Sequence, residues 1–261
     1  MSILLHGDCL ELMKTLDDDS VDLIFCDLPY SCTNCSWDVA IDLDKFWIEV
    51  MRIKKLHTPI FMTTTTKFGV SLINSCPKKC PFRYDIVWLK SSPAGFLSAK
   101  TMPMRKHEMI YVFYEKLPFY DLSSHKHKFL KEGKIEPNKE KTQISQAQKG
   151  GCDEKNKKNM YGASKGGTIG NVHGTNYDPP LPVSILEIKS TRGKHSTEKP
   201  VALMSWILKY YSKEGDVVLD PTMGSGSTGV SCKEMNRNFI GIEKDPEIYE
   251  VAVNRIEYSF V

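Results

Sequence analysis

The tetrapeptide Asp27-Leu28-Pro29-Tyr30 combines four groups that could hold and activate an amino group on a flat ring. Such an amine is conjugated with its ring and is a poor nucleophile, so a site must accept its two hydrogens and support the ring face. The Asp27 carboxylate and the Leu28 carbonyl would be the acceptors. Pro29 would fix the turn, and Tyr30 would stack on the ring. Taken alone, the same four residues also fit a plain turn with a packed tyrosine.

A glycine-rich turn in the last third of the chain is the second candidate for chemistry. It runs Asp220-Pro-Thr222-Met-Gly224-Ser225-Gly226-Ser227-Thr228-Gly229 after a short apolar strand. Its glycines would let the backbone approach a ligand, and Glu243, at the end of the next strand, could accept hydrogen bonds from a ribose diol. Strand, turn, helix, strand and acid predict a right-handed βαβ unit for a nucleoside cofactor. A nicotinamide enzyme also fits this motif, because the glycines match Gly-x-Gly-x-x-Gly.

Alternating strand-like and helix-like segments surround both motifs. Strands are predicted at 21–26, 59–63, 84–89, 108–114, 217–219 and 239–242, and helices at 8–16, 46–53, 200–215 and from 245 onwards. The last helix is expected to turn Ile248, Val251 and Ile256 inward. This α/β pattern predicts a twisted, mostly parallel sheet with helices on both faces and the cofactor at the carboxyl ends of the strands.

The segment from about 116 to 194 is polar and has too few apolar clusters for a core of its own. Between positions 122 and 176, eleven lysines stand against five acids, an excess larger than the net charge of +3 of the whole chain. A solvated, partly disordered loop and a phosphate-contacting arm both fit this composition. The candidate nucleic-acid contacts are Lys126, Lys128, Lys155, Lys157, Lys158 and Lys165.

Length and composition restrict the class of protein. At 261 residues and 41% hydrophobic content, the chain can bury one sizeable core but not two full domains. It has no apolar stretch near the roughly 20 residues that span a bilayer, and its first residues do not form a signal peptide. We therefore expect a soluble, intracellular protein, in a bacterial cytoplasm or a virus-infected cell, with no membrane partner.

The eight cysteines fit reduced thiols better than a disulfide framework. A zinc ion could be bound by four thiols in two pairs, Cys32 with Cys35 and Cys76 with Cys80. However, the second pair has three intervening residues, and both pairs lack the usual glycine. We expect no metal.

Taken in this order, the motifs resemble those of the β-class amino-methyltransferases of DNA found in restriction-modification systems and phages. The resemblance covers nearly all of the chain outside the lysine-rich segment. It is carried by Gly7-Asp8, Asp27 to Tyr30 with Trp37-Asp38, Met102-Pro-Met-Arg-Lys-His-Glu108, His195-Ser-Thr-Glu-Lys-Pro200, and Asp220 to Gly229. It implies a Rossmann-like class I methyltransferase with a seven-stranded, mostly parallel sheet and a circularly permuted motif order. Residues 1–115 would form the catalytic half, 116–194 an inserted target-recognition region, and 195–261 the cofactor half.

The resemblance also implies the ligands and the residues that meet them. S-adenosylmethionine would be the methyl donor and double-stranded DNA the substrate, with the target base flipped out of the helix. Asp8 would contact the cofactor adenine, Glu243 the ribose, and the glycine-rich turn the methionine portion. The full set expected at the cofactor is Asp8, Cys9, Asp27, His195, Lys199, Asp220, Thr222, Gly224, Ser225, Gly226, Ser227, Thr228 and Glu243. Members of the family often form homodimers, and the sequence leaves the oligomeric state open.

Two departures from the family pattern bear on the mechanism. Leu28 stands where proline is usual, but only its backbone carbonyl is required, so activity should survive. Ser-Thr-Glu replaces the commoner Pro-Thr-Gln between His195 and Lys199, which leaves the cofactor contacts there open.

Asp27 favours adenine N6 as the target over cytosine N4, whose enzymes usually carry serine at this position. Cytosine C5 chemistry would need a thiolate in a Pro-Cys context, whereas Cys76 precedes its proline. A non-catalytic DNA-binding protein on the same fold, and an RNA or protein-glutamine methyltransferase, remain alternatives.

Overall fold

The computed structural model describes residues 1–29, 41–128, 177–190 and 198–258. These divide into two compact units, one made of Met1–Asp121 with Val183–Val261 and the other of Leu122–Pro182. No helix in the described ranges is long and apolar enough to cross a membrane.

The first unit is an α/β sheet structure. Its strands are β1 (Ser2–His6), β2 (Leu23–Cys26), β3 (Ile60–Thr64), β4 (Phe82–Ala94), β5 (Arg105–Phe113), β8 (Ile185–Glu187), β9 (Val217–Asp220) and β10 (Asn238–Glu243). Its helices are α1 (Cys9–Leu12), α2 (Leu43–Ile53), α3 (Thr66–Ser75), α4 (Val201–Tyr211), α5 (Ser227–Glu234) and α6 (Pro246–Tyr258). Two short strands of the second unit, β6 (Lys126–His127) and β7 (Tyr177–Asp178), complete the numbering.

The strands of the first unit form one sheet in the order β1-β10-β9-β2-β3-β5-β4-β8. Within this described sheet β5 is antiparallel to both of its neighbours, and the other seven strands all run in one direction. The predicted α/β class with a mostly parallel sheet is therefore confirmed, with eight strands described where seven were expected. The segment patterns identified neither β1 nor β8, because both are edge strands with few fully buried positions.

Central strands are covered on both faces, which explains their unbroken apolar runs. Every residue of β2 and β3 is buried. Trp47 of α2 packs edge-on against Phe113 of β5, with the ring centroids 5.3 Å apart. Phe61 of β3 packs in the same way against Tyr211 of α4, at 4.9 Å. These contacts fix the helices against the central strands.

The last helix faces the core differently from the predicted pattern. α6 buries Ala252 and Ile256, as expected for Ile256, but Val251 is 44% exposed. The prediction for Val251 is wrong because α6 packs through Ile256 and Ala252 onto the glycines that begin α5. A helix that docks on such a small-residue surface uses a narrower apolar stripe than the sequence pattern suggests.

The strand directions place the predicted site residues on one edge of the sheet. Asp8, Asp27, Asp220 and Glu243 all lie at, or within two residues after, the carboxyl ends of strands that run in the same direction. In an open parallel sheet this edge is where ligands bind. The amino end of the antiparallel β5 lies at the same edge.

In the second unit, β6 and β7 pair antiparallel, His127 with Tyr177. The imidazole of His125 is buried, and its Nδ1 lies 2.8 Å from the carbonyl oxygen of Pro179. Lys126 and Lys128, two of the predicted nucleic-acid contacts, are exposed.

The two phenylalanines Phe113 and Phe96 test which surfaces form the core. Phe113 is fully buried, so Phe113→Ala should lower the free energy of unfolding by about 3–5 kcal/mol. Phe96 is 81% exposed, so Phe96→Ala should change it by less than about 0.5 kcal/mol. Urea denaturation followed by circular dichroism measures both. Equal losses would contradict the described core.

Candidate active site

Asp27 is the first residue after β2, and its carboxylate is held on both oxygens. Thr63, on the neighbouring strand β3, donates its hydroxyl hydrogen to Oδ1. The Lys199 ammonium donates to Oδ2 at 2.5 Å. The Asp27 side chain still keeps 26% of its surface exposed, and each carboxylate oxygen can accept a further hydrogen bond. Asp27 is therefore fixed in position yet open to a ligand.

Lys199 belongs to a chain of alternating charges. Its ammonium also lies 3.2 Å from Oε1 of Glu108, and the other oxygen of Glu108 lies 2.6 Å from Nζ of Lys90. Burial would lower the pKa of Lys199, but the carboxylates of Asp27 and Glu108 outweigh that effect and raise the pKa above its usual value. Lys199 is therefore a permanent cation between two acids.

Sequence reasoning missed the part that Glu108 plays. From local sequence alone, histidine and glutamate at 107 and 108 fit structural residues beside a strand. The structure places Glu108 in β5, and its partner Lys199 lies 91 positions later in the chain. Only the antiparallel position of β5 in the sheet brings them together, and no local pattern in the sequence encodes that.

The glycine-rich turn is organised around the buried carboxylate of Asp220. Its Oδ1 accepts from the Thr222 amide at 3.2 Å, and its Oδ2 accepts from the Thr228 hydroxyl at 2.6 Å. Burial raises the pKa of Asp220 to about 7, despite these two hydrogen bonds. The carboxyl thus ties the start of the turn to the first turn of α5.

Glu243 closes the turn from the neighbouring strand. One of its oxygens accepts from the Gly224 amide at 3.0 Å and the other from the Asp245 amide at 2.8 Å. Gly226 adopts a φ of +82°, and a Cβ there would lie 2.9 Å from Cδ1 of Ile256. The left-handed backbone conformation therefore favours glycine at 226, where α6 packs closely against the turn.

Glu198 fills the position where the family more often has glutamine, and the structure gives it a partner. The Arg255 guanidinium in α6 lies 2.6 Å from Oε1 of Glu198 and also donates to the Ser225 carbonyl at 3.2 Å and hydroxyl at 3.0 Å. Glu198 is thus linked to the glycine-rich turn through Arg255, whereas the adjacent Lys199 contacts Asp27 directly.

Asp8 caps α1 at the end of β1, beside the strand that ends at Glu243. Its Oδ1 accepts from the Leu10 amide and its Oδ2 from the Lys244 ammonium, each at 3.0 Å. Burial would raise the pKa of Asp8, but these donors lower it below its usual value. Cys9, which begins α1, is partly buried, and burial raises the pKa of its thiol to about 12, so it is a neutral group.

The turn offers polar groups that need a ligand. The hydroxyl oxygens of Thr222 and Ser227 are buried and have no hydrogen-bond partner among the described residues. Buried polar groups in native proteins are nearly always hydrogen-bonded. Two unsatisfied hydroxyls beside close-approach glycines, with Asp8 and Glu243 on adjacent strand ends, fit a cofactor that has both an amino-acid and a nucleoside portion.

The structure brings most, but not all, of the predicted site residues to one edge. Leu28 is buried and Pro29 partly buried directly after Asp27. The predictions for Tyr30, His195, Lys155, Lys157, Lys158 and Lys165 lie outside the described residues. Lys126 and Lys128 belong to the second unit. Their roles stay predictions.

The cysteine quartet is only partly described. Cys76 and Cys80 are free thiols, and burial raises the pKa of Cys80 to about 11. Cys32 and Cys35 lie outside the described residues. Within the described ranges, no three His, Cys, Asp or Glu residues are grouped so that they could hold a metal ion.

A Rossmann-like sheet with an Asp-x-Pro motif and a nucleoside-cofactor turn at its carboxyl edge defines a class I methyltransferase that uses S-adenosylmethionine. The family model for DNA methylases of the N6/N4 type matches residues 21–254, and the chain belongs to this family. The predicted resemblance and the predicted methyl donor are therefore confirmed.

Individual relatives agree in class. The chain is 27% identical to the type II methyltransferase M.HinfI of Haemophilus influenzae over 98% of its own length and 68% of the relative's. The solved complex of M1.HpyAVI with SAM superposes with a TM-score of 0.63 at 20% identity, over 98% of this chain and 100% of that one. The structure of the cytosine-N4-specific PvuII DNA methyltransferase superposes with a TM-score of 0.67 at 14% identity, over 100% of this chain and 88% of that one. These two structures show a shared fold.

The raised pKa of Asp220 predicts how stability depends on pH. The pKa of Asp220 is about 7 in the folded protein and near 3.8 in the unfolded chain. The protonated carboxyl therefore contributes to the stability of the fold at low pH, and this contribution is lost as pH rises through 7. Asp220→Asn should remove the loss. Relative to the parent chain, the variant without cofactor should gain a few kcal/mol in unfolding free energy between pH 5 and pH 8, at about 1.4 kcal/mol per pKa unit. Urea titrations at both pH values measure it, and a constant difference would contradict the shift.

Proposed function

We propose that the protein transfers a methyl group from S-adenosylmethionine to N6 of adenine within a short sequence of double-stranded DNA. The observation that carries the proposal is the Asp27 carboxylate, which is fixed by Thr63 and Lys199 and remains partly exposed at the cofactor edge of the sheet. The family to which the chain belongs supports DNA as the substrate.

The role of Asp27 follows from what a base amine needs. The target base must leave the helix to reach the site. One amino hydrogen then points to the Asp27 carboxylate and the other to the Leu28 carbonyl, so that the nitrogen lone pair is directed out of the ring. As the new N–C bond forms, the bond between the methyl carbon and the sulfonium sulfur breaks, and its electron pair stays on sulfur in the neutral thioether product. One N–H bond of the amine also breaks, and its proton passes to Asp27 and on to solvent. No covalent enzyme intermediate is needed.

Lys199 acts on the reaction through Asp27. Its ammonium occupies one position on Oδ2 and Thr63 occupies one on Oδ1, which leaves the carboxylate able to rotate very little. A carboxylate held this way presents its remaining acceptor positions in one direction, towards the ligand. Lys199 is in turn held by Glu108, so its own position does not depend on the substrate.

The cofactor would be held by the residues of the carboxyl edge. When bound, S-adenosylmethionine supplies an electrophilic methyl group on a sulfonium. Thr222 and Ser227 would hydrogen-bond its amino-acid portion, because their buried hydroxyls lack other partners in the described part of the chain. Glu243 would accept from the ribose with the acceptor positions that Gly224 and Asp245 leave open, and Asp8 would bind next to the adenine.

The choice of adenine over cytosine N4 rests on Asp27. Both reactions require the same direct attack by an exocyclic amine, and enzymes for cytosine N4 usually carry serine at the first catalytic position. The fold shared with PvuII DNA methyltransferase does not bear on this choice. We further propose residues 116–194 as the region that reads the target sequence, with the lysines of that segment on DNA phosphates.

The modified base is identified by digesting methylated DNA to nucleosides. Unmethylated genomic DNA incubated with the protein and isotopically labelled S-adenosylmethionine should yield label in N6-methyladenine, as measured by mass spectrometry. Label in N4-methylcytosine would refute the adenine proposal and leave the DNA methyltransferase class intact.

Substitutions at Asp27 and Lys199 test the proposed division of roles. Asp27→Asn keeps the shape but loses the proton acceptor, so methyl transfer should fall by at least about 100-fold. Lys199→Met removes the charge that orients Asp27 and should cause a smaller loss in kcat. Single-turnover assays at saturating DNA and cofactor measure both.

The matched control is Lys14→Met, which removes an exposed lysine whose ion pair with Glu11 is also exposed, and it should leave the rate unchanged. Cofactor affinity, measured by calorimetry, should stay within a few-fold for Asp27→Asn. A variant of Asp27 that still transfers methyl groups at the parent rate would refute the assigned role.

A further inference from the structure

The loop between β4 and β5 is the most exposed apolar surface at the site edge. Phe96 is 81% exposed and Leu97 fully exposed, and Met102 and Met104 are 60% and 42% exposed. Between positions 91 and 106, Ser98 alone is not exposed. A soluble protein rarely presents such a group of large side chains unless it contacts something.

The same loop carries only positive charge. Lys90, Lys100, Arg105 and Lys106 lie within it or at its base, and the sequence from 86 to 107 contains no acid. Lys100, Arg105 and Lys106 are exposed. Apolar side chains surrounded by cations on a protruding loop match a nucleic-acid duplex, which offers phosphates outside and stacked bases inside.

The base of the loop belongs to the network of ion pairs that includes Asp27. Lys90 near the end of β4 and Glu108 near the start of β5 form the ion pair at its base, and Glu108 contacts Lys199, which contacts Asp27. Because β4 runs parallel to β2 and β5 runs against it, the loop leaves the sheet at the edge where Asp27 lies. A base held at Asp27 would therefore leave the helix beside this loop.

We propose that the β4–β5 loop is a DNA-contacting wedge, in which Phe96 and Leu97 occupy the stack that the target base leaves while the neighbouring cations bind phosphates. This inference rests on DNA as the substrate and does not depend on which base is methylated. Its physical basis is that extruding a base breaks stacking, and apolar side chains that fill the gap reduce the cost.

The test compares a wedge variant with a matched control. The double variant Phe96→Ala/Leu97→Ala should lower kcat/KM for duplex DNA at least tenfold. Its cofactor Kd and its unfolding midpoint should not change, because both side chains are exposed. The control Ile48→Ala/Val251→Ala removes two exposed apolar side chains from helices and should stay within twofold of the parent. Total methyl incorporation is the readout, so a product on cytosine N4 would refute the adenine proposal without affecting this comparison.

A mismatched substrate separates a wedge from an ordinary contact. A mismatch at the target base pair makes the base easier to extrude. On a duplex that contains the methylated sequence with such a mismatch, the wedge variant should therefore recover most of the parent rate. The double variant Lys100→Ala/Lys106→Ala should instead weaken binding to both duplexes equally. The slope of log affinity against log salt concentration should fall by about one for each phosphate that the variant no longer binds. A wedge variant as active as the parent on the matched duplex, an equal defect on both duplexes, or a variant that turns a dimer into a monomer would each overturn the proposal.

Discussion

The two ion pairs of the largely buried Lys199 ammonium, with Asp27 and with Glu108, are the interactions on which the site depends. Removing an ammonium from water is costly unless acids compensate it, and here two carboxylates do so, one directly after β2 and one in β5. The same contact that stabilises the cation fixes the orientation of Asp27. Stability and the orientation of Asp27 are therefore linked at this point, since a change that removes the Lys199 ammonium also removes one of the groups that hold the Asp27 carboxylate.

The sheet makes this arrangement possible through its single described antiparallel strand. Parallel strands bring their carboxyl ends to one edge, which explains how Asp8, Asp27, Asp220 and Glu243 meet there. Glu108 lies near the amino end of β5 and reaches the same edge only because β5 runs in the opposite direction. The reversed strand thus supplies a second carboxylate from a part of the chain that a purely parallel sheet would carry to the far edge.

Local patterns predicted the central elements and the site residues that follow buried strands, because burial on both faces leaves an unbroken apolar run such as Leu23 to Cys26. They failed where burial is slight, as at β1 and β8, and where packing is set by a partner, as at Val251. Pairings between distant residues were also beyond their reach. The family resemblance implies that Lys199 lies near the cofactor, and its contact with Asp27 emerges only when the fold is assembled.

Glu198 and Lys199 connect the part of the chain that contains Asp27 with the part that contains the glycine-rich turn. Residues 1–115 are joined to residues 195–261 by the backbone pairing of β1 with β10 and of β2 with β9, and side-chain contacts of Glu198 and Lys199 add to this pairing. Lys199 holds Asp27 from the first half, while Glu198 holds Arg255, which in turn holds Ser225 in the second. Two consecutive residues therefore link Asp27 to the glycine-rich turn. Replacement of the usual glutamine by Glu198 is consistent with this role, because a full negative charge pairs with the Arg255 guanidinium more strongly than a neutral amide would.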